Sequence, residues 1–157
     1  MKKYTPIAIV VVLLLIAAFF YVKKQKPEVI QEPDVVTQQE NITGCYVARL
    51  GKDVYTLQVA SQNDTAINGS LRFKNFEKDS SSGTLNGTYV DGIIRGTYAF
   101  QSEGMNSEIE VAFKKIGDGF MRGFGEMSTS SNKFVNVDAI QYDDNYIFMK
   151  ADCEAAQ

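Results

Sequence analysis

The sequence predicts an all-β protein: one antiparallel β-barrel of about eight strands, preceded by a single N-terminal transmembrane helix. Three observations carry that reading. The first is the stretch Gly83 to Gly104, GTLNGTYVDGIIRGTYAFQSEG, where two alternating runs flank Asp91-Gly92. Leu85, Gly87 and Tyr89 share one face of the first run, and Asp-Gly readily takes the positive φ angles of a two-residue type I′ turn. The second is the recurrence of turn residues between short alternating segments from Gly44 onward, with no stretch long enough for the crossover a parallel pair needs. The third is the contrast between this region and the apolar run Tyr4 to Val22, which has no polar face at all.

That run follows a basic start, Met1 to Lys3. Nineteen helical residues span ~28 Å, close to the ~30 Å of a bilayer's hydrocarbon core. A cleaved secretory signal is the rival reading, but Ala17-Ala18 is followed by Phe19-Phe20-Tyr21 and no small-x-small pair, which favours a retained anchor over residues 1–24. No cysteine ends the run, so lipid attachment has no acceptor there. Residues 25–41 hold Pro27, Pro33 and scattered acidic groups, the composition of an extended, self-repelling spacer. The barrel domain is assigned to residues 42–157.

Within it, Cys45 to Leu50 reads as the first strand and Val54 to Ser61 as the second, with Tyr55, Leu57 and Val59 on one face. Ile67 to Phe76 alternates Leu71 and Phe73 against Arg72 and Lys74, and the central hairpin follows. Gly87 and Gly96 fall inside its two arms, where interior glycines point to strong coiling of the sheet, as closure into a barrel requires. Ser107 to Ile116 and Phe120 to Met127 come next. Phe134 to Tyr142 reads as a short helix or turn packing over a barrel end, Asp143-Asp144-Asn145 as a break, and Tyr146 to Ala151 as the last strand. A two-sheet sandwich is the alternative on the same pattern.

Five of the sixteen basic residues precede Pro27 and all nineteen acidic ones follow it, so the domain is acidic and repels phosphate backbones. No nucleic-acid partner is expected. There is no histidine, which removes the usual general base and zinc ligand. The chain has no Gly-x-Ser-x-Gly elbow, Cys-x-x-Cys pair or phosphate loop, and no cofactor, metal or catalytic residue is assigned. Its two cysteines, Cys45 and Cys153, flank the domain; a bridge between them would close a loop near one hundred residues and require an oxidising compartment. That places the domain outside the cytoplasm.

Gly44-Cys45-Tyr46, the central GTLNGTYVDGIIRGTYAFQSEG, SEIEVAF at Ser107 to Phe113, Gly123-Phe124-Gly125 and the closing Asp152-Cys153 resemble a group of uncharacterised small bacterial envelope proteins, many of them lipoproteins. The resemblance implies a calycin-like barrel, of the lipocalin and fatty-acid-binding kind, with a cysteine pair joining its ends.

Two constellations remain. Glu103, Glu108 and Glu110 form the nearest thing to a carboxylate cluster, with Glu108 and Glu110 sharing a strand face; alternation alone accounts for them as a solvated outer surface. The aromatic residues are more informative, since an eight-stranded barrel is just wide enough to be filled by side chains or to hold one small ligand. Tyr89, Tyr98, Phe100 and Phe124 are the expected wall of such a site. The expected function is accordingly a non-enzymatic, membrane-anchored module binding a small apolar ligand inside the barrel. A filled-core module that meets another envelope protein is the alternative, and a hydrolase using Glu103 and Glu108 a distant third.

Overall fold

The computed structural model describes residues 39–156. The expected anchor and residues 25–38 of the expected linker lie outside them, and among the described residues no helix is long and apolar enough to cross a membrane. Eight strands make a closed barrel: β1 Gly44–Leu50, β2 Asp53–Asn63, β3 Ala66–Lys74, β4 Ser81–Val90, β5 Ile93–Ser102, β6 Met105–Ile116, β7 Gly119–Phe124 and β8 Gln141–Ala151. Each pairs antiparallel with the next, and β8 returns to β1, so the sandwich alternative does not hold.

Alternation builds the interior. Tyr55, Leu57 and Val59 of β2, Leu71 and Phe73 of β3, Leu85 and Tyr89 of β4, Ile94 and Tyr98 of β5, and Val111 and Phe113 of β6 are all buried. They form one apolar cluster with Phe120 and Phe148. At the β4–β5 hairpin, Asp91 and Gly92 take φ of 50° and 77°, the geometry of the expected type I′ turn. Gly87 lies opposite Gly96, and a Cβ on Gly87 would sit 2.4 Å from the Arg95 carbonyl oxygen. The two arms therefore approach more closely than any side chain allows, which permits the tight curl of a small barrel.

The seam is short. β1 and β8 share three residue pairs, Cys45 with Ala151 to Val47 with Met149, and next to them the Cys45–Cys153 disulfide spans 108 residues of sequence. First and last segments are thus joined covalently where their ladder is briefest.

Two expectations need correction. β8 begins at Gln141, so Asp143-Asp144-Asn145 lies inside the strand. Met121 faces Ile147 and Arg122 faces Asp143, which leaves residues 144–146 bulged out of the ladder. Asn145 donates from both its backbone N and Nδ2 to Asp143 Oδ1 at 2.8 Å, so the turn chemistry read from the sequence is present but interrupts the strand without ending it. Phe134 to Tyr142 likewise does not cap a barrel end. It contributes a 3-10 turn, Val137–Ala139, with Val135 and Val137 exposed, and Ile140 buried on the outside of the wall beside Gly123 and Ala112.

Candidate functional site: the open mouth of the barrel

The barrel has unlike ends. At the end holding the β2–β3, β4–β5 and β6–β7 turns, the segment ahead of β1 folds across the opening. Ile42 is 1% exposed, its backbone N donates to Gln62 Oε1 at 2.9 Å and its carbonyl accepts from the Tyr46 hydroxyl at 2.8 Å. Glu40 accepts from Lys115 Nζ at 2.7 Å and from the Tyr89 hydroxyl at 3.3 Å, while Gln39 donates to the Tyr89 carbonyl. Residues 39–41, assigned to the linker from sequence, therefore act as a stopper. The Lys115 ammonium holds the Glu40 carboxyl below its ordinary range. Burial, reinforced by Glu40, pushes the Tyr89 hydroxyl up to about 12.

Among the described residues the opposite end has no such cover. Its inward residues are rings: Tyr98 stacks on Phe100 at 4.7 Å and meets Phe73 edge-on at 5.8 Å, Phe73 meets Tyr55 at 5.1 Å, and Tyr146 lies between Tyr55 and Phe124. The Tyr55 hydroxyl is 3.0 Å from Asn75 Oδ1, and the Tyr98 hydroxyl donates to Ser81 Oγ at 3.1 Å. Burial raises both phenols above their usual range, helped at Tyr55 by Asp53.

Among these rings stands Arg122. Its guanidinium carbon lies 4.3 Å from the centre of the Phe73 ring and 5.0 Å from that of Phe124. No hydrogen-bond acceptor or carboxylate partners it among the described residues. Asp143, its neighbour across the ladder, is turned to Asn145. Burial lowers the Arg122 pKa, an effect the adjacent Tyr146, Tyr55 and Tyr98 oppose, but a guanidinium starts so far above neutrality that it stays charged.

The wall beside Arg122 is incomplete. β6 pairs with β5 from Met105 to Lys114 but with β7 only from Phe113 to Ile116. Beyond that point the β7–β8 connection fills the gap with a small hairpin, bridged at Met127 and Phe134. Glu110 holds it: its backbone N donates to the Asn132 carbonyl at 2.8 Å and its Oε2 accepts from the Phe134 N at 2.9 Å. Behind the hairpin is a recess of about 180 Å³ lined by Ile109, Val111, Arg122, Phe124, Met127 and Phe134, among others. A larger hollow of about 590 Å³ lies on the outer face between Ser82, Thr84, Ala99, Gln101 and Glu108. It is shallower and carries more polar side chains, although Phe100 also borders it, whereas ligand sites are concave and mostly apolar with a few polar anchors, so the recess is the better candidate.

Of the four wall residues expected from sequence, the structure brings Tyr98, Phe100 and Phe124 to the mouth and places Tyr89 under the stopper at the far end. Glu103, Glu108 and Glu110 do not converge. Glu103 sits in the β5–β6 turn with φ of 49°, Glu108 is exposed, and Glu110 is committed to the hairpin and to Arg95 at 3.8 Å. Among the described residues no three acidic or cysteine side chains gather as metal ligands would. Sequence reasoning missed Arg122, although a signal was there: it occupies the inward phase of Phe120-x-Arg122-x-Phe124. Comparison of the chain with family models, with curated proteins and with solved structures finds no match.

Proposed function

We propose that this protein is a membrane-anchored envelope module, without catalytic chemistry of its own, that binds a small and mainly apolar ligand at the aromatic mouth of its barrel. The observation that carries this reading is the coincidence, at one end of the barrel among the described residues, of a broken β6–β7 ladder, a recess behind it and an aromatic set whose Phe124 remains 37% exposed. The middle of the barrel is filled by Leu57, Leu71, Leu85, Phe113 and Phe148, all 1% exposed or less, so the ligand sits at the mouth and does not thread the interior. Large apolar side chains left in contact with water, Phe76 at 57% and Met105 at 66%, also belong to this end. The disulfide supports an oxidising, extracytoplasmic location, because such bonds are rare in the cytoplasm. Residues 1–24 supply the anchor.

Native mass spectrometry of the full chain isolated from its host membrane tests the reading. A discrete copurifying small molecule, displaced by the substitution Phe124→Ala, is expected. Bare protein together with no uptake of an apolar dye would sink it. The packed midsection favours a second reading, in which the domain works as a filled scaffold contacting another envelope protein. In-cell crosslinking to one discrete partner, from a barrel that takes up no dye, would favour that alternative.

A further inference from the structure

We infer that the mouth is selective for small aromatic carboxylates, with Arg122 receiving the acid group and the surrounding rings receiving the ligand's ring. This rests on the preceding reading of the mouth as a ligand site and adds the chemical class. A guanidinium carries five N–H donors in a planar fork matched to a carboxylate's two oxygens. At Arg122 none of these donors meets an acceptor among the described residues, and no carboxylate stands within ion-pair distance.

Arg122 is half-buried, so its guanidinium keeps part of its water and has two aromatic faces, at 4.3 and 5.0 Å, in place of the rest. The nearest ladder carboxylate, Asp143, is engaged with Asn145. Glu110, which also lines the recess, points its charge to Phe134 N and Arg95. The fold thus supplies a positive group and spends its neighbouring negative ones elsewhere. Size sets the rest of the class. A recess of about 180 Å³ has room for one substituted ring. Phe124 and Phe134 in the recess lining offer ring faces and edges to such a ligand, and Tyr146 lies behind Phe124 at 5.1 Å.

The test titrates the full chain, with its disulfide intact, with benzoate and with the neutral benzyl alcohol, following backbone amide shifts. Benzoate is expected to bind at least tenfold more tightly, moving Gly123, Gly125 and Tyr146. Arg122→Met should abolish that preference, bringing the affinities for benzoate and benzyl alcohol within about twofold of each other. Arg122→Lys, which keeps the charge and loses the fork, should fall between the two and serves if the methionine variant does not fold. Equal binding of acid and alcohol to the unaltered protein would overturn the inference and leave the ligand-site reading standing. Amide shifts confined to other surfaces, or none from either probe, would overturn both.

Discussion

At one end of the barrel Lys115 points inward and meets Glu40 at 2.7 Å; at the other Arg122 points inward and meets the Phe73 and Phe124 rings. Both are cations in the apolar phase of a strand, and they are resolved differently. The chain brings its own carboxylate to Lys115 by folding residues 39–42 over the opening. Nothing among the described residues does the same for Arg122. An inward charge with a built-in partner belongs to the architecture of the closed end, and an inward charge without one among the described residues is what motivates the proposed ligand site at the other. The rings divide less cleanly: Phe124 at the mouth remains 37% exposed, whereas Tyr98 there is as buried as Tyr46, Tyr89 and Phe120 at the closed end.

The sharpest way to break the closed end is to cut its seam. With three residue pairs between β1 and β8, the Cys45–Cys153 bond carries much of that closure. Replacing both cysteines by serine should cost up to about 4 to 5 kcal/mol, the chain-entropy figure for a loop of this length. Denaturant midpoints of oxidised, reduced and serine-substituted protein measure it. A loss below about 1 kcal/mol would mean that the stopper and ladder close the barrel unaided.

Next in size is a paired truncation. Phe120, fully buried and 5.0 Å from the Tyr46 ring, should cost about 3 to 5 kcal/mol as Phe120→Ala. Phe124→Ala should cost about 1 kcal/mol or less, because much of that ring is already in water. The two phenylalanines lie on one strand and in one phase, so equal losses would erase the distinction between the ends.

The stopper's ion pair is a smaller matter. Glu40 has 57% of its side chain exposed, and exposed pairs contribute about 0.2 to 1 kcal/mol. Its folded pKa is depressed, first by the hydrogen bond from Lys115, so its contribution is present above the unfolded glutamate pKa. It fades as pH falls through the lowered folded value. Unfolding free energies of the unaltered protein and Glu40→Gln should therefore differ at pH 7 and converge in acid. Divergence on acidification would reverse the sign and remove Glu40 from the stopper.

Most of the barrel was legible because its information is local. Alternation assigned the faces of β2, β3 and β6, and Asp91-Gly92 fixed the register of the β4–β5 hairpin. What was not legible depends on who faces whom. Asp143-Asp144-Asn145 has turn chemistry in either context, and only its pairing with β7 shows that the strand resumes. Tyr89 and Tyr98 are equivalent by local pattern, yet they face opposite ends because β4 and β5 run antiparallel. Arg122 was readable as a misplaced polar residue, but its lack of a partner becomes visible only once Asp143 and Glu110 are seen to be engaged.

The smallest effect concerns how the mouth opens. The hairpin over the β6–β7 gap is held to β6 by two hydrogen bonds, both to Glu110. Glu110→Ala keeps the backbone bond and deletes the acceptor for Phe134 N, a change of about 0.5 to 1.5 kcal/mol. Hydrogen exchange at the Phe134 amide should quicken roughly three- to tenfold, with little change at Phe113, where the ladder is intact. Glu110→Gln retains an acceptor oxygen and should exchange nearly as the unaltered protein does. The Arg95 ion pair is the competing explanation, but at 3.8 Å with Arg95 48% exposed it contributes little, so Arg95→Ala should leave Phe134 protected. If Arg95→Ala instead matched Glu110→Ala, the hairpin would be held by charge, and the open end would share with the closed end the ionic closure that now distinguishes them.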